Sequence, residues 1–239
     1  MNRRRFTTAL VGFAAARPAQ RADTDRRTRF YQLEKFQLKA GTQRGRMHEW
    51  LSNGLLPKLS RIHSGPAMVL EALIGPHVPH LLLLTGYSSF EEIWNVRSKL
   101  GTDAEPNASG PEPPFESRTV TLLEAASYSP EIVVERREEP RFFELRVYHS
   151  RIAGAAEVKI FHRTGIFPVL YTSTLIGANM PNLTYLIPFD SLAAREKAWD
   201  AFGADPEWIK ARKESIDRSG HIASVSEIGI YRATPYSPC

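Results

Sequence analysis

Hydrophobic and polar positions along the chain change period in a fixed order, and that order occurs twice. Residues 29 to 38 alternate as a strand, and then Met47, Trp50, Leu51, Leu55, Leu59 and Ile62 recur at three and four residues, which predicts one apolar helical face. Pro66 opens a second strand through Ile74. His77-Val78-Pro79 turns the chain into a third strand, His80 to Tyr87. Ser89 precedes Glu92 by three residues, a capping-box spacing that starts a helix carrying Phe90, Ile93, Trp94 and Leu100. Gly101 to Pro114 reads as a loop and Arg118 to Tyr128 as a fourth strand.

The second pass predicts a strand over 141–149 and a helix over 155–164. Central strands follow over 168–176 and 182–189, then a helix over 191–202. Asp205-Pro206-Glu207-Trp208 starts a further helix, with Asp as cap, Pro in the first position and Glu complementing the dipole. A last strand spans 224–233. Residues 66–105 align on residues 168–207 at a constant offset of 102, with 11 of 40 positions identical. Such a period is a duplicated domain rather than a solenoid, whose unit is roughly 20–50 residues.

Each copy has the order β-α-β-β-α-β of a ferredoxin-like unit. One face of its sheet is left bare, and two such faces cover each other. The expected fold is therefore α+β: two tandem ferredoxin-like domains packed sheet to sheet as a pseudo-dimeric α+β barrel. The expected divisions are a leader over 1–28, a first domain over 29–130, a linker over 131–140 and a second domain over 141–239.

Four segments carry a family resemblance: Phe143-Glu144-Leu145-Arg146-Val147-Tyr148, Gly165-Ile166 before Pro168-Val169, Pro188-Phe189-Asp190-Ser191-Leu192-Ala193-Ala194-Arg195-Glu196, and Asp205-Pro206-Glu207-Trp208. In these the chain resembles the NIPSNAP family, whose members carry domains of the dimeric α+β barrel superfamily. Residues 29–105 are a weaker copy: Gln32-Leu33-Glu34-Lys35-Phe36 departs from the strand pattern, and Asp103-Ala104-Glu105-Pro106 breaks the Asp-Pro-Glu-Trp box. The resemblance implies a binding or interaction protein of unassigned activity. Relatives in the wider superfamily imply the alternative, a cofactor-free monooxygenase-like or isomerase-like enzyme working between the sheets.

Charge changes the picture only at the N-terminus. Residues 1–29 hold eight Arg and two Asp, whereas residues 30–239 hold 23 Lys and Arg against 24 Asp and Glu. A nucleic-acid surface needs basic residues clustered on the folded part, so no nucleic-acid partner is expected. Asn2-Arg3-Arg4-Arg5-Phe6, an apolar run over 9–16 and Arg17-Pro18-Ala19 have the order of a twin-arginine export signal. The expectation is a periplasmic or extracytoplasmic protein with no stable membrane span, the alternative being a cytoplasmic protein with a basic tail. A small-molecule or protein partner and a homo-oligomer are left open.

Candidate chemistry concentrates on the first strand of the second copy. Alternation puts Phe143, Leu145 and Val147 on one face, expected under the helices. Glu144, Arg146 and Tyr148 then point into the space between the sheets, and their counterparts in the first copy are Gln32, Glu34 and Phe36. Glu144, Arg146, Tyr148, Gln32 and Glu34 form the candidate lumen pocket, with a self-satisfied ion-pair network as the alternative reading. The second copy keeps the fuller set, so a site is expected there. His77 and His80 lack a third ligand of matching spacing, His48, His149 and His162 specify no site, and Cys239 stands alone. No metal and no cofactor are expected. Trp50, Trp94, Trp199 and Trp208 are expected as core anchors.

Overall fold

The computed structural model describes residues 27–106, 112–133, 141–148, 155–220 and 226–238. The export leader over 1–26, most of the linker (134–140), His149 and Cys239 lie outside the described residues. The first repeat contains β1 (Phe30–Gln37), α1 (Thr42–Glu49), a π-helical segment (Trp50–Leu55), α2 (Leu56–Ile62), β2 (Ala67–Ile74), β3 (His80–Tyr87), α3 (Phe90–Leu100) and β4 (Ser117–Ala125). The second contains β5 (Phe142–Tyr148), α4 (Ala155–Arg163), β6 (Leu170–Ile176), β7 (Leu183–Phe189), α5 (Leu192–Ala204), α6 (Pro206–Ser219) and β8 (Ser226–Ala233).

All pairings are antiparallel, and the strands close a barrel in the order β1-β3-β2-β8-β5-β7-β6-β4. Within each repeat the order is that of a ferredoxin-like sheet. Between repeats the exposed edges find each other: Leu70 pairs with Ala233 and Ala72 with Tyr231, while Leu123 pairs with Thr174 and Ala125 with Thr172. Each four-stranded sheet has two edges, and both pair with the other repeat, which removes the unpaired backbone groups an edge presents.

The offset of 102 reappears as backbone geometry. His77 and Asn179 have φ of 57° and 60°, and the bonds Val78–Pro79 and Met180–Pro181 are both cis. Ser89 and Ser191 cap α3 and α5, each accepting from the backbone N–H three residues on. Ile74 and Val78 are exposed on one hairpin and Ile176 and Met180 on the other. Gly177 sits at a close approach, where a Cβ would come within 2.8 Å of the Thr121 methyl.

Three apolar clusters divide the molecule. The first lies between the sheet and α1–α3, joining Phe36, Met47, Leu51, Leu83 and Val96. The third lies between the sheet and α4–α5, joining Phe161, Tyr171, Tyr185, Ile187 and Phe202. The second takes side chains from every strand: Tyr31, Met68, Leu82, Leu123, Phe143, Leu170, Leu186 and Tyr231. This second cluster is the barrel interior. It corrects the expected assignment of faces, because Phe143 and Leu145 turn inward while Glu144, Arg146 and Tyr148 lie on the helix side. The interior, closed to water by eight strands, takes the apolar set. The helix side accepts the polar set because α5 brings partners to it.

Trp94 corrects a second expectation. It is 70% exposed on α3, one turn from Phe90, which is also exposed, whereas Trp50, Trp199 and Trp208 pack against the helix-side clusters.

Candidate functional site

Glu144 is the centre of the polar constellation. It projects from the middle of β5 beneath α5 and is 0% exposed. Arg195 grips it with Nε to Oε2 at 2.7 Å and Nη2 to Oε1 at 3.0 Å, and the Trp199 indole N–H donates to Oε2 at 2.8 Å. Arg195 and Trp199 are four residues apart on α5, so one helix face supplies both. Arg146 approaches from the same strand, with Nε 2.7 Å from Oε1. Its guanidinium lies over the Trp199 ring at 3.7 Å, a cation–π contact, and Nη1 donates to the Tyr148 hydroxyl at 2.8 Å. Tyr148 in turn stacks on Tyr185 at 5.6 Å. Burial pulls the Arg146 pKa down, but Tyr185, Tyr148 and Glu144 outweigh it and leave the pKa raised. Burial, with the neighbouring Tyr148, drives the Tyr185 phenol well above its ordinary range.

The first repeat is wired differently. Gln32 donates to Glu34 at 2.6 Å, and Arg118 of β4 donates Nε to the same carboxylate at 2.6 Å. Arg118 also reaches Glu105 at 2.7 and 2.9 Å, and Arg97 holds Glu105 at 3.1 Å. A cavity of about 30 Å³ lies beside this group, with Gln32, Glu34, Tyr87 and Arg118 on its wall. The structure therefore brings Glu144, Arg146 and Tyr148 together in one cluster and Gln32 with Glu34 in another. The two clusters do not share a lumen pocket: each lies outside the barrel, under the helices of its own repeat.

The strand pattern missed Arg195, Trp199 and Arg118, because their partners lie 51, 55 and 84 residues away in sequence. One signal is present for the first two: an Arg and a Trp spaced by four on one helix, α5.

The His77/His80 pair is a turn lock. The His80 ring lies 2.9 Å through Nδ1 from the His77 carbonyl and 3.1 Å through Nε2 from the Tyr231 hydroxyl. A carbonyl accepts only, so Nδ1 carries the proton and Nε2 accepts from Tyr231. Burial lowers the His80 pKa, in keeping with a neutral ring. Among the described residues no group of three His, Cys, Asp or Glu side chains is placed to hold a metal ion.

The Asp205 and Glu157 carboxyls are shifted in opposite directions, with opposite consequences. Arg163 and the Trp208 N–H hold Asp205 down to about 2, so its contribution is present above about pH 4 and is lost as pH falls toward 2. Burial alone pushes Glu157 of α4 up to about 7. Between pH 4.5 and 7 the folded chain keeps a proton that the unfolded chain has released, so stability falls as pH rises through that window. Glu157→Gln is expected to leave the melting temperature unchanged near pH 4 and to raise it by several degrees at pH 8. Melting curves across the range check this.

A family model described as NIPSNAP matches residues 143–238, from the strand that carries Glu144 to the end of β8 and beyond. The second repeat is thus similar to NIPSNAP domains. Solved structures similar to the chain extend over both repeats. An anthrone oxidase-like protein is 14% identical, with 87% of this chain and 92% of that one covered and a TM-score of 0.53. A putative monooxygenase from Fusobacterium nucleatum is 9% identical over 86% and 92%, with a TM-score of 0.56. A chlorite dismutase from Candidatus Nitrospira defluvii is 9% identical over 87% and 92%, with a TM-score of 0.52. These share the dimeric α+β barrel fold, and at such identities they speak to fold alone. No curated protein sequence matches the chain. The NIPSNAP match falls on the repeat whose carboxylate is clamped by α5, while the first repeat, with its Arg118-held Glu34, lies outside it. Among the described residues no helix is long and apolar enough to cross a membrane.

Proposed function

We propose that this chain is a NIPSNAP-type binding module, which holds a ligand or partner without converting it, and that it works outside the cytoplasm. Glu144 carries the reading. Its two oxygens are occupied by Arg195, Trp199 and Arg146, so the carboxylate that would serve as an acid–base group is spent on holding α5 to the sheet. Tyr148 is likewise engaged by Arg146.

The competing reading is a cofactor-free enzyme working between the sheets, which draws on the putative monooxygenase and the anthrone oxidase-like protein among the similar structures. It requires room for a substrate inside the barrel, and apolar side chains from all eight strands occupy that interior. Oxygen uptake by the purified protein with anthrone as substrate separates the two. The binding reading expects uptake no faster than the protein-free control. Uptake faster than the control and proportional to protein would establish the enzyme instead.

Export by Arg3-Arg4-Arg5-Phe6 belongs to the same proposal. N-terminal sequencing of the protein from an extracytoplasmic fraction is expected to begin after Ala16 or Ala19; an intact Met1 confined to the cytosol would overturn it.

A further inference from the structure

The second repeat closes one corner of its fold with a tryptophan that the first repeat lacks. Asp205 accepts from the backbone N–H groups of Glu207 and Trp208, each at 3.0 Å. The Trp208 ring packs on Phe202 with centroids 4.5 Å apart. Arg163, at the end of α4, holds Asp205 from across the gap at 2.6 and 2.8 Å.

In the first repeat Asp103 and Glu105 stand where Asp205 and Glu207 do, and Pro106 takes the place of Trp208. Lys58 of α2 holds Asp103 at 2.5 Å, as Arg163 holds Asp205. At this junction there is a cavity of about 390 Å³, with Trp50, Gly54, Lys58, Asp103, Glu105 and Pro106 on its walls. Its volume falls in the ordinary range for small-molecule sites, roughly 300–1,000 Å³. The π-helical segment Trp50–Leu55 forms one wall, a helix distortion that often accompanies function. A Cβ at Gly54 would lie in ordinary van der Waals contact with Trp50 Cδ1, at 3.4 Å.

We propose that this cavity binds a free aromatic amino acid, with its ring on Trp50, its ammonium on Asp103 and its carboxylate on Lys58. The proposal rests on the binding reading above and gives it a ligand class. The second repeat supplies the template, since there an N–H a few bonds from an aromatic ring donates to the matching aspartate. Charge selects the zwitterion. Lys58 and Asp103 are 46% and 47% exposed, and a pair so exposed contributes little and opens readily. A ligand of one sign would strand one member of that pair, whereas a zwitterion serves both. Glu105 does not compete, because Arg97 and Arg118 already hold it.

Calorimetric titration of the full chain with L-tryptophan tests this. One site per chain is expected, with a dissociation constant below about 1 mM. Asp103→Asn is expected to weaken binding by about tenfold or more, the size of one charge-assisted hydrogen bond, with no change in melting temperature. Tryptamine and indole-3-acetate, each keeping one of the two charges, should bind more weakly by a similar factor. Pro106→Trp, which restores the missing ring, should abolish binding. No heat with millimolar L-tryptophan, equal binding of indole-3-acetate, or an unaffected Asp103→Asn would each overturn the assignment. Such a failure leaves the oxygen-uptake result untouched, so the ligand class and the binding reading fail separately.

Discussion

Glu144→Ala is expected to lower the melting temperature by roughly 6–20 °C. Removing one member of a buried ion pair costs about 3–5 kcal/mol, because the partner's charge is left without compensation. For a chain of this size each kcal/mol corresponds to about 2–4 °C. Two guanidiniums lose their acceptor here. Arg195 is 27% exposed and can turn to water, but Arg146 is 11% exposed and packed over Trp199, so it sets the lower bound. The Trp199 N–H loses its acceptor as well. Glu144→Gln should cost less than the alanine, since an amide oxygen still accepts from Trp199. Thermal unfolding followed by circular dichroism measures both. A loss below about 1 kcal/mol for the alanine would mean that the cluster is not closed as described.

Leu186→Ala should cost about 2–5 kcal/mol, toward the upper end. Leu186 lies in the barrel interior on β7, is paired on both sides by β5 and β6, and is 1% exposed. The penalty for a deleted leucine grows with the volume that the surroundings fail to reclaim. A closed ring of eight hydrogen-bonded strands has little freedom to move inward, so most of the void should persist. An apolar void of this kind stays dry and takes up small apolar molecules. Denaturant unfolding gives the cost, and stabilisation of the variant alone by benzene reports the void. A cost below about 1 kcal/mol would argue against a packed interior.

The sequence disclosed the architecture through its own repetition. The offset that aligns Leu73-Ile74-Gly75 with Leu175-Ile176-Gly177 also superposes the turn residues His77 and Asn179 in φ and the caps Ser89 and Ser191 in hydrogen bonding. Turns and caps are local, so local sequence specifies them. The parity of β5 was equally legible: Glu144, Arg146 and Tyr148 do share a face. Which face meets the helices was not, since alternation separates two faces without saying what lies beyond each. A strand whose inner side faces a dry barrel and whose outer side lies under helices is buried on both. The polar set then goes wherever partners are, and those partners, Arg195 and Trp199, sit on a helix more than 50 residues on.

The unequal copies obey the same limit. Glu144, Arg146 and Asp205-Pro206-Glu207-Trp208 make the second copy the expected place of a site. In the structure those residues complete the second repeat: the carboxylate is saturated and Trp208 fills its corner. The space lies in the first repeat, where Pro106 replaced the tryptophan and Lys58 and Asp103 kept their pairing. A broken motif can be the more informative one, because what it no longer fills is left for something else.

Glu144 faces α5 rather than the barrel interior. A double-mutant cycle between Glu144→Gln and Arg195→Met tests it most directly, since Arg195 reaches Glu144 only from the helix side. Residues joined by a shared ion pair are expected to show a coupling of about 1–3 kcal/mol in unfolding free energy. Additivity within about 0.5 kcal/mol would contradict the claim and return Glu144 to the space between the sheets.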